Sequence, residues 1–294
     1  MKIRSWAPGH ATLFFAVPRN YDNPEEMGSI GGGINFDIGV TTSITVSQAD
    51  KIFWNNQEIR GNVTKTVVEL FKKIHNMKFN LHIEHESALK TGYGFSTSGA
   101  GAIGTALGLN ELFQTGMENI ALYSLAHKAE IINQTGLGSV VGQISGGIEL
   151  RLSQGGPKRS LTISFHSESE VIIGLLAPLS TKDVLTSSEQ MDLVTISGIR
   201  CIEQIKNTRN LTLMQIINSG RKFMETCGLM TPRIENIISQ LDSIGEVHST
   251  MAMIGESVII NPIHKTKVLR LLEKNNIEYL ETTVSSKQPH IVYN

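Results

Sequence analysis

Cysteine is nearly absent from this chain. Only Cys201 and Cys227 occur in 294 residues, with no CxxC spacing and no further partners. That argues against a disulfide framework or a zinc site and fits a reducing cytoplasm. An excess of one charge is missing too: 26 Lys and Arg stand against 27 Asp and Glu, a formal net charge of -1. No basic surplus exists to hold a nucleic-acid backbone, and no polybasic run suggests a membrane surface. Nowhere do about 18 apolar residues follow one another, as a bilayer-spanning helix requires. Residues 1–6 lack the apolar stretch of a signal peptide. A cytoplasmic protein without nucleic-acid or membrane partners is expected.

What is present is an ordinary globular composition, 40% hydrophobic and 18% charged. The length suggests two domains. Residues 12–17 and 34–46 are rich in β-branched and aromatic side chains and read as strands. Between them lie a polar loop at 18–27 and a glycine-rich stretch at 28–33, which lets the backbone approach something closely. Asn55-Asn56 reads as a hairpin turn, and Asn62 as the cap of a helix carrying Val63, Val67, Leu70 and Ile74. Residues 79–86 alternate as a strand. Helical patterns follow at 98–113 and 119–133, then a glycine-bearing loop at 134–138 and a strand at 148–152. Turn formers and charge concentrate at 154–159, so the division is expected there: domains 1–157 and 158–294.

The second half has a different rhythm. A strand at 170–176 precedes helical patterns at 190–206, 213–227 and 231–241. Thr231-Pro232 supplies a cap and an N1 proline, and Gly228 a stop. Strands at 250–254 and 257–260, a helix at 264–275 and a strand at 277–284 complete the order of a ferredoxin-like split βαβ with extra helices in its first crossover.

The densest glycine cluster is Gly92, Gly94, Gly99, Gly101, Gly104 and Gly108, although Ile103, Leu107, Leu109 and Leu112 keep a helical rhythm. Each glycine inside a helix costs about 0.5–1 kcal/mol relative to alanine. Close approach to a polyphosphate offsets such a cost, because free N–H groups and the positive end of the helix dipole bind anions. Ser96, Thr97 and Ser98 add hydroxyls for phosphate oxygens or Mg²⁺. The segment is neither a Walker loop, since Gly94 and Gly99 lead into Ala100-Gly101 and not Lys-Ser, nor a GxGxxG fingerprint. Small residues packing tightly at a helix start are the bland alternative.

Gly94-Phe95-Ser96-Thr97-Ser98-Gly99-Ala100 occupies the frame of the G-L-G-S-S-A-A phosphate loop, and Ala7-Pro8-Gly9-His10 looks like an N-terminal P-G motif. In these and in overall layout the chain resembles the GHMP kinases, the family named for galactokinase, homoserine kinase, mevalonate kinase and phosphomevalonate kinase. Within it the chain is most similar to the archaeal pantoate kinases. The carriers are Ala7–His10, Gly28–Gly33, Ser98-Gly99-Ala100-Gly101-Ala102, Thr135-Gly136-Leu137-Gly138 and Met251-Ala252-Met253-Ile254-Gly255. The resemblance implies an α+β fold, with an N-terminal domain like ribosomal protein S5 domain 2 and a ferredoxin-like C-terminal domain. It also implies ATP and Mg²⁺ as cofactors and phosphorylation of pantoate to 4-phosphopantoate, an early step toward coenzyme A.

By the same resemblance, the ATP phosphates fall to Gly92, Gly94, Ser96, Thr97, Ser98, Gly99, Ala100 and Gly101. Ser98 and Glu130 become the catalytic pair and the metal ligands; an N-cap serine and a solvated carboxylate are the plainer alternatives. Arg4, His10, Ser29, Gly31 and Ser139 stand nearest the substrate. His127 and Lys128 are expected on the surface. Ser139 departs from the family, which often carries an aspartate there as general base; a serine has no useful pKa for that task. His82, Glu84 and Glu86 invite a metal reading, but on a strand they share a solvated face. Two alternatives stay open: a kinase for homoserine, shikimate or mevalonate, and a non-catalytic nucleotide-binding homologue. A homodimer is expected on general grounds.

Overall fold

The computed structural model describes residues 1–179 and 188–293. Its first sheet is built on two long antiparallel strands, β1 (Lys2–Ala16) and β2 (Ile30–Ser47). Ala7-Pro8-Gly9-His10, read from sequence as a motif before the first strand, lies inside β1. Register shifts between Pro8 and His10 and between Thr12 and Phe14 accommodate it. β3 (Lys51–Trp54) and β4 (Gln57–Glu58) form a hairpin around Asn55 and Asn56, both at positive φ. α1 (Asn62–His75) then crosses to β5 (Asn80–Glu86), which pairs antiparallel with β2 and parallel with β3. Asn62 is the first helical residue of α1 and not its cap; Gly61 holds the cap position in the left-handed region.

α2 (Thr97–Phe113) and α3 (Asn119–Asn133) pack with α1 over one face of this sheet, burying Val67, Phe71, Ile103, Ala106, Leu122 and Ala129. A seven-residue helix, α4 (Ser139–Ser145), follows and leads to β6 (Ile148–Arg151), which pairs with β2. Residues 154–159, expected as a linker, are the bend between β6 and β7 (Thr162–Phe165), and those two strands pair. The first sheet therefore runs on to Phe165, past the division expected at 157/158.

The second sheet holds β8 (Glu170–Ala177), β9 (His248–Met251), β10 (Glu256–Asn261) and β11 (Glu278–Thr283), in the order β11-β8-β10-β9 and antiparallel throughout. That is the split βαβ arrangement. Among the described residues three helices occupy its first crossover: α5 (Ser188–Ile205), α6 (Leu213–Cys227) and α7 (Pro232–Asp242); α8 (Lys265–Lys274) fills the second. A capping box of Thr212 with Gln215 starts α6, and Gly228 at positive φ ends it. Thr231 accepts a bond from the Ile234 N–H at the start of α7, with Pro232 at N1. The last strand, β12 (His290–Ile291), returns to the first sheet beside β1. One hydrophobic core runs through both units, joining Leu13, Phe14, Phe36 and Leu150 to Ile173, Phe223, Met251 and Ile259.

Candidate active site

A cleft of about 660 Å³ opens where the two sheets meet. Its walls come from the loop before α2, the start of α1, the loop between α3 and α4, and the turn between β9 and β10. Among the described residues its lining contains no Asp, Glu, Lys or Arg. Hydroxyls, glycines and apolar side chains make the surface.

The loop before α2 is held in an unusual shape. Gly92 and Gly94 have φ of 82° and 85°, and Ser96, a residue with a Cβ, has φ of 51°. A non-glycine residue in that region costs energy and persists only when neighbours over-determine it. Here Gln143 on α4, fully buried, donates to the carbonyls of both Pro8 (2.7 Å) and Ser96 (3.1 Å). The β9–β10 turn presses from the other side. A Cβ on Gly94 would stand 2.8 Å from the Met253 carbonyl oxygen, and one on Gly255 2.1 Å from the Tyr93 carbonyl carbon. Ser257 also donates to the Tyr93 carbonyl at 2.9 Å. The loop thus delivers the start of α2 to the cleft with the N–H groups of Thr97, Ser98 and Gly99 making no hydrogen bond among the described residues. Three free N–H groups at a helix N-terminus are an anion site.

Glu130 lies one layer behind this wall. It is 1% exposed, on the buried face of α3, and accepts hydrogen bonds from Thr135 Oγ1 (2.9 Å), Ser139 Oγ (3.2 Å) and the Ser98 hydroxyl. Burial pushes its carboxyl above the ordinary carboxylate range, and the three hydroxyls pull it back. The expected alternative, a solvated carboxylate, does not hold. The hard oxygen donors of Glu130 and Ser98, hydrogen-bonded to each other, suit Mg²⁺, which takes one or two carboxylates and completes its shell with phosphates and water. No group of three or more His, Cys, Asp or Glu placed to hold a metal occurs among the described residues, His82, Glu84 and Glu86 included.

Of the residues assigned to phosphate from sequence, Gly92, Gly94, Ser96, Thr97, Ser98 and Gly101 line the cleft. The Cα of Gly99 packs against Gln143 Oε1 and Ala100 joins the core, so these two face away, although the Gly99 N–H remains available. Among the substrate candidates, Ser29 and Ser139 line the cleft. Arg4 does not: it sits in β1 opposite Ser43, toward the β12 edge, and its carbonyl accepts from the Val292 N–H. Gly31 is also off the wall, buried in β2, where a Cβ would meet the Phe14 carbonyl at 2.4 Å and Arg151 Nη2 at 3.0 Å. The glycine stretch makes room for β1 and Arg151. It offers no open backbone to a ligand.

His10 is wholly buried and belongs to a cluster the sequence reading passed over. Its Nε2 bonds Glu149 Oε1 at 3.0 Å, and Arg151 Nη1 donates to the same oxygen. Desolvation by burial drives the His10 pKa down, against the Glu149 hydrogen bond that raises it. Arg151 is 0% exposed, yet its Nε and Nη2 have no hydrogen-bond partner. Nε sits just under the floor of the cleft, where a Cβ on Gly138 would stand 2.3 Å from Ser29 Oγ and 2.9 Å from Arg151 Nε, while Nη2 lies beside Gly31, off the wall. An unsatisfied guanidinium nitrogen beneath a polar floor suits an anion. The readable signal was Ile148-Glu149-Leu150-Arg151, opposite charges two apart on a strand, with glycines at 31, 33, 138 and 142 around them.

Of two further histidines, one differs from expectation. His127, expected at the surface, is buried; its Nε2 meets the carbonyls of Pro24 (3.2 Å) and Met27 (3.0 Å), tying the 18–27 loop to α3. Lys128 is exposed, as expected. His85, on the face of β5 opposite His82, lines the cleft between Thr42 Oγ1 and Thr64 Oγ1, each at 2.9 Å. Burial pushes it down to about 4.

Known proteins share this design. The family model for the GHMP kinases N terminal domain matches residues 62–147, which run from α1 through the phosphate loop to the end of α4. A pantoate kinase of Thermococcus kodakarensis is 29% identical over 301 residues, covering 99% of this chain and 98% of its own. One from Methanocaldococcus jannaschii is 29% identical over 254 residues, 86% of this chain and 90% of its own. A solved structure described as a phosphotransferase related to the CoA biosynthesis pathway superposes with a TM-score of 0.88 at 25% identity, covering 99% of both chains. The glycine-rich loop, the buried glutamate behind it and the two-sheet scaffold are thus found together with the fold of a CoA-pathway phosphotransferase, and residues 62–147 form a GHMP kinases N terminal domain.

Proposed function

We propose that the protein transfers the γ-phosphoryl group of ATP to the primary alcohol of pantoate, giving ADP and 4-phosphopantoate on the way to coenzyme A. The observation that carries this is the pairing of two anion sites of different kind in one cleft. The start of α2, with three free N–H groups and the nearby Glu130–Ser98 oxygens, suits a polyphosphate with its metal. The floor at Ser29 and Gly138, with the unpartnered Nε of Arg151 beneath, suits a small carboxylate. The names of the full-length relatives support pantoate in particular.

Bound Mg²⁺, held by Glu130 and Ser98, would neutralise charge on the phosphates. The α2 amides orient the phosphate chain, and the Arg151 charge under the floor orients the acceptor so that its alcohol faces the γ-phosphorus. No carboxylate lines the cleft among the described residues, and Ser139 spends its proton on Glu130. The alcohol proton therefore leaves to phosphate oxygen or water. Phosphoryl transfer tolerates this, because its loose transition state depends chiefly on positioning and charge neutralisation.

The test is ADP release by the purified protein with Mg-ATP, comparing pantoate with pantothenate, homoserine, shikimate and mevalonate. Turnover on pantoate alone supports the proposal. Turnover on another alcohol keeps the cleft and replaces the substrate; ATP binding without turnover on any of the five makes the protein a nucleotide binder.

A further inference from the structure

Among the described residues, β7 ends the first sheet on an edge that no other strand pairs. It pairs with β6 and with no other strand among the described residues. The Leu152 N–H donates to the Leu161 carbonyl at 2.7 Å, so Leu161 points its backbone groups at the β6 side. By the alternation of an antiparallel ladder, Ile163 and Phe165 do the same, while Thr162 and Ser164 turn their N–H and C=O groups outward. Edge strands are ordinarily blunted by proline, lysine, a bulge or a covering segment. Residues 160–166, Ser-Leu-Thr-Ile-Ser-Phe-His, contain neither proline nor lysine, and the β6–β7 register has no bulge. Leu161 and Ile163 are 61% and 37% exposed, and alternation sets them on one face with Phe165.

We propose that β7 is the interface through which two copies of this chain associate, edge to edge and antiparallel, about a two-fold axis at Ile163. Centring on Ile163 sets the outward-facing Thr162 against the partner's Ser164, and the reverse, and each such pair exchanges two hydrogen bonds, about four in all. The same register brings Ile163 against its own copy in the closer, non-hydrogen-bonded kind of pair, and Leu161 against the partner's Phe165. The exposed apolar side chains then cover one another.

Charge selects a second copy over an unrelated strand. Lys158, exposed and without a partner among the described residues, lies just before β7. Glu168, 83% exposed in its side chain, lies just after it, with only His166 near at 3.7 Å. An antiparallel two-fold sets the cationic end of each strand beside the acidic end of the other, twice. An isologous interface has to be self-complementary in this way.

A contact built on one strand is small, so dissociation on the order of micromolar is expected. Sedimentation of the intact protein across that range should show a monomer–dimer equilibrium. Thr162→Pro removes an outward N–H that the fold itself does not use and should leave a monomer with an unchanged melting temperature. Lys158→Glu and Glu168→Lys should each weaken the dimer about tenfold or more by setting like charges together, and the double exchange should restore it. Ile163→Cys should give a disulfide-linked dimer on mild oxidation, with the buried Cys201 and Cys227 as unreactive internal controls. A wild-type chain that stays monomeric at every concentration overturns the proposal. So does a dimer indifferent to Thr162→Pro and both charge reversals, which would place a different surface, or a different partner for β7, at the contact.

Discussion

At the scale of single residues, the site rests on groups that are buried and held. Glu130 makes three hydrogen bonds to hydroxyls around one carboxylate. Replacing it with Gln removes the charge and keeps the shape. A fall in kcat of about a hundredfold or more is expected, as when a preorganised electrostatic group is lost. Ser139→Ala should cost less than about tenfold, because the proposed chemistry asks no base of that position. Steady-state kinetics of the two variants check this, and the opposite ranking would make Ser139 the essential group. His85 gives a second residue-scale prediction. Its pKa is about 4 in the fold against 6.5 normally. Between those values the unfolded chain binds a proton that the folded chain refuses, so stability is full above about pH 6.5 and declines as pH falls toward 4. Denaturation at pH 6.5 and pH 5 should differ by about 2 kcal/mol from this residue. His85→Gln should flatten the dependence, although His10 and His127, lowered mainly by burial, keep part of it. Glu130 and Ser98 are singled out from sequence by the family resemblance of the loop and helix that carry them, and the fold sets the Ser98 hydroxyl in a hydrogen bond to the Glu130 carboxylate. The sequence hid Arg151 and His85, which look like ordinary members of alternating strands until the tertiary fold buries them.

Among elements, helices with strong punctuation were read almost to the residue. α3 and α6 match their expected bounds, because turn residues and caps punctuate them: Gln134 in the left-handed region ends α3, and the Thr212–Gln215 capping box and Gly228 bound α6. The misread elements are those whose signal is short or self-contradictory. α4 has seven residues and β7 four, too few for periodicity to speak. β1 carries Pro8 and Gly9 in its interior, which argues against a strand unless bulges absorb them. The β9–β10 turn also acts as an element, by shaping the phosphate loop. Gly255→Ala would drive a methyl into the Tyr93 backbone. A loss of about 2 kcal/mol or more is expected, since backbone cannot yield as a side-chain tip can. A rise of about tenfold in KM for ATP should accompany it, because the strain falls on the segment that presents the α2 amides. Thermal melting and ATP saturation curves test both halves. A destabilised variant with unchanged KM would show the turn to be a brace for the scaffold alone.

For the whole molecule, the two sheets match the α+β plan that the motifs implied, but they do not form two independent bodies. Leu13, Phe14, Phe36 and Leu150 from the first unit share one core with Phe223, Met251 and Ile259 from the second. Chain order hid this, since contacts across the units carry no local signature. Unfolding should therefore be one cooperative transition by calorimetry, with van't Hoff and calorimetric enthalpies agreeing. A fragment of residues 158–294 should fail to fold, having lost half of that core. Two separate transitions would instead make the shared core a mere contact between domains.

The bond from Ser257 to Tyr93 spans 164 residues. Contacts so distant in sequence form late, because loop-closure entropy must be met before they contribute. During synthesis the strands from β1 to β6 and helices α1–α3 emerge before the second unit and β12, which complete their core and their sheet. The phosphate loop, however, acquires its final shape only when the β9–β10 turn has emerged and docked. The nascent chain thus carries its nucleotide motif early and becomes competent to hold nucleotide near the end. ATP can consequently stabilise the finished fold, but it cannot act as a template for the first half of the chain.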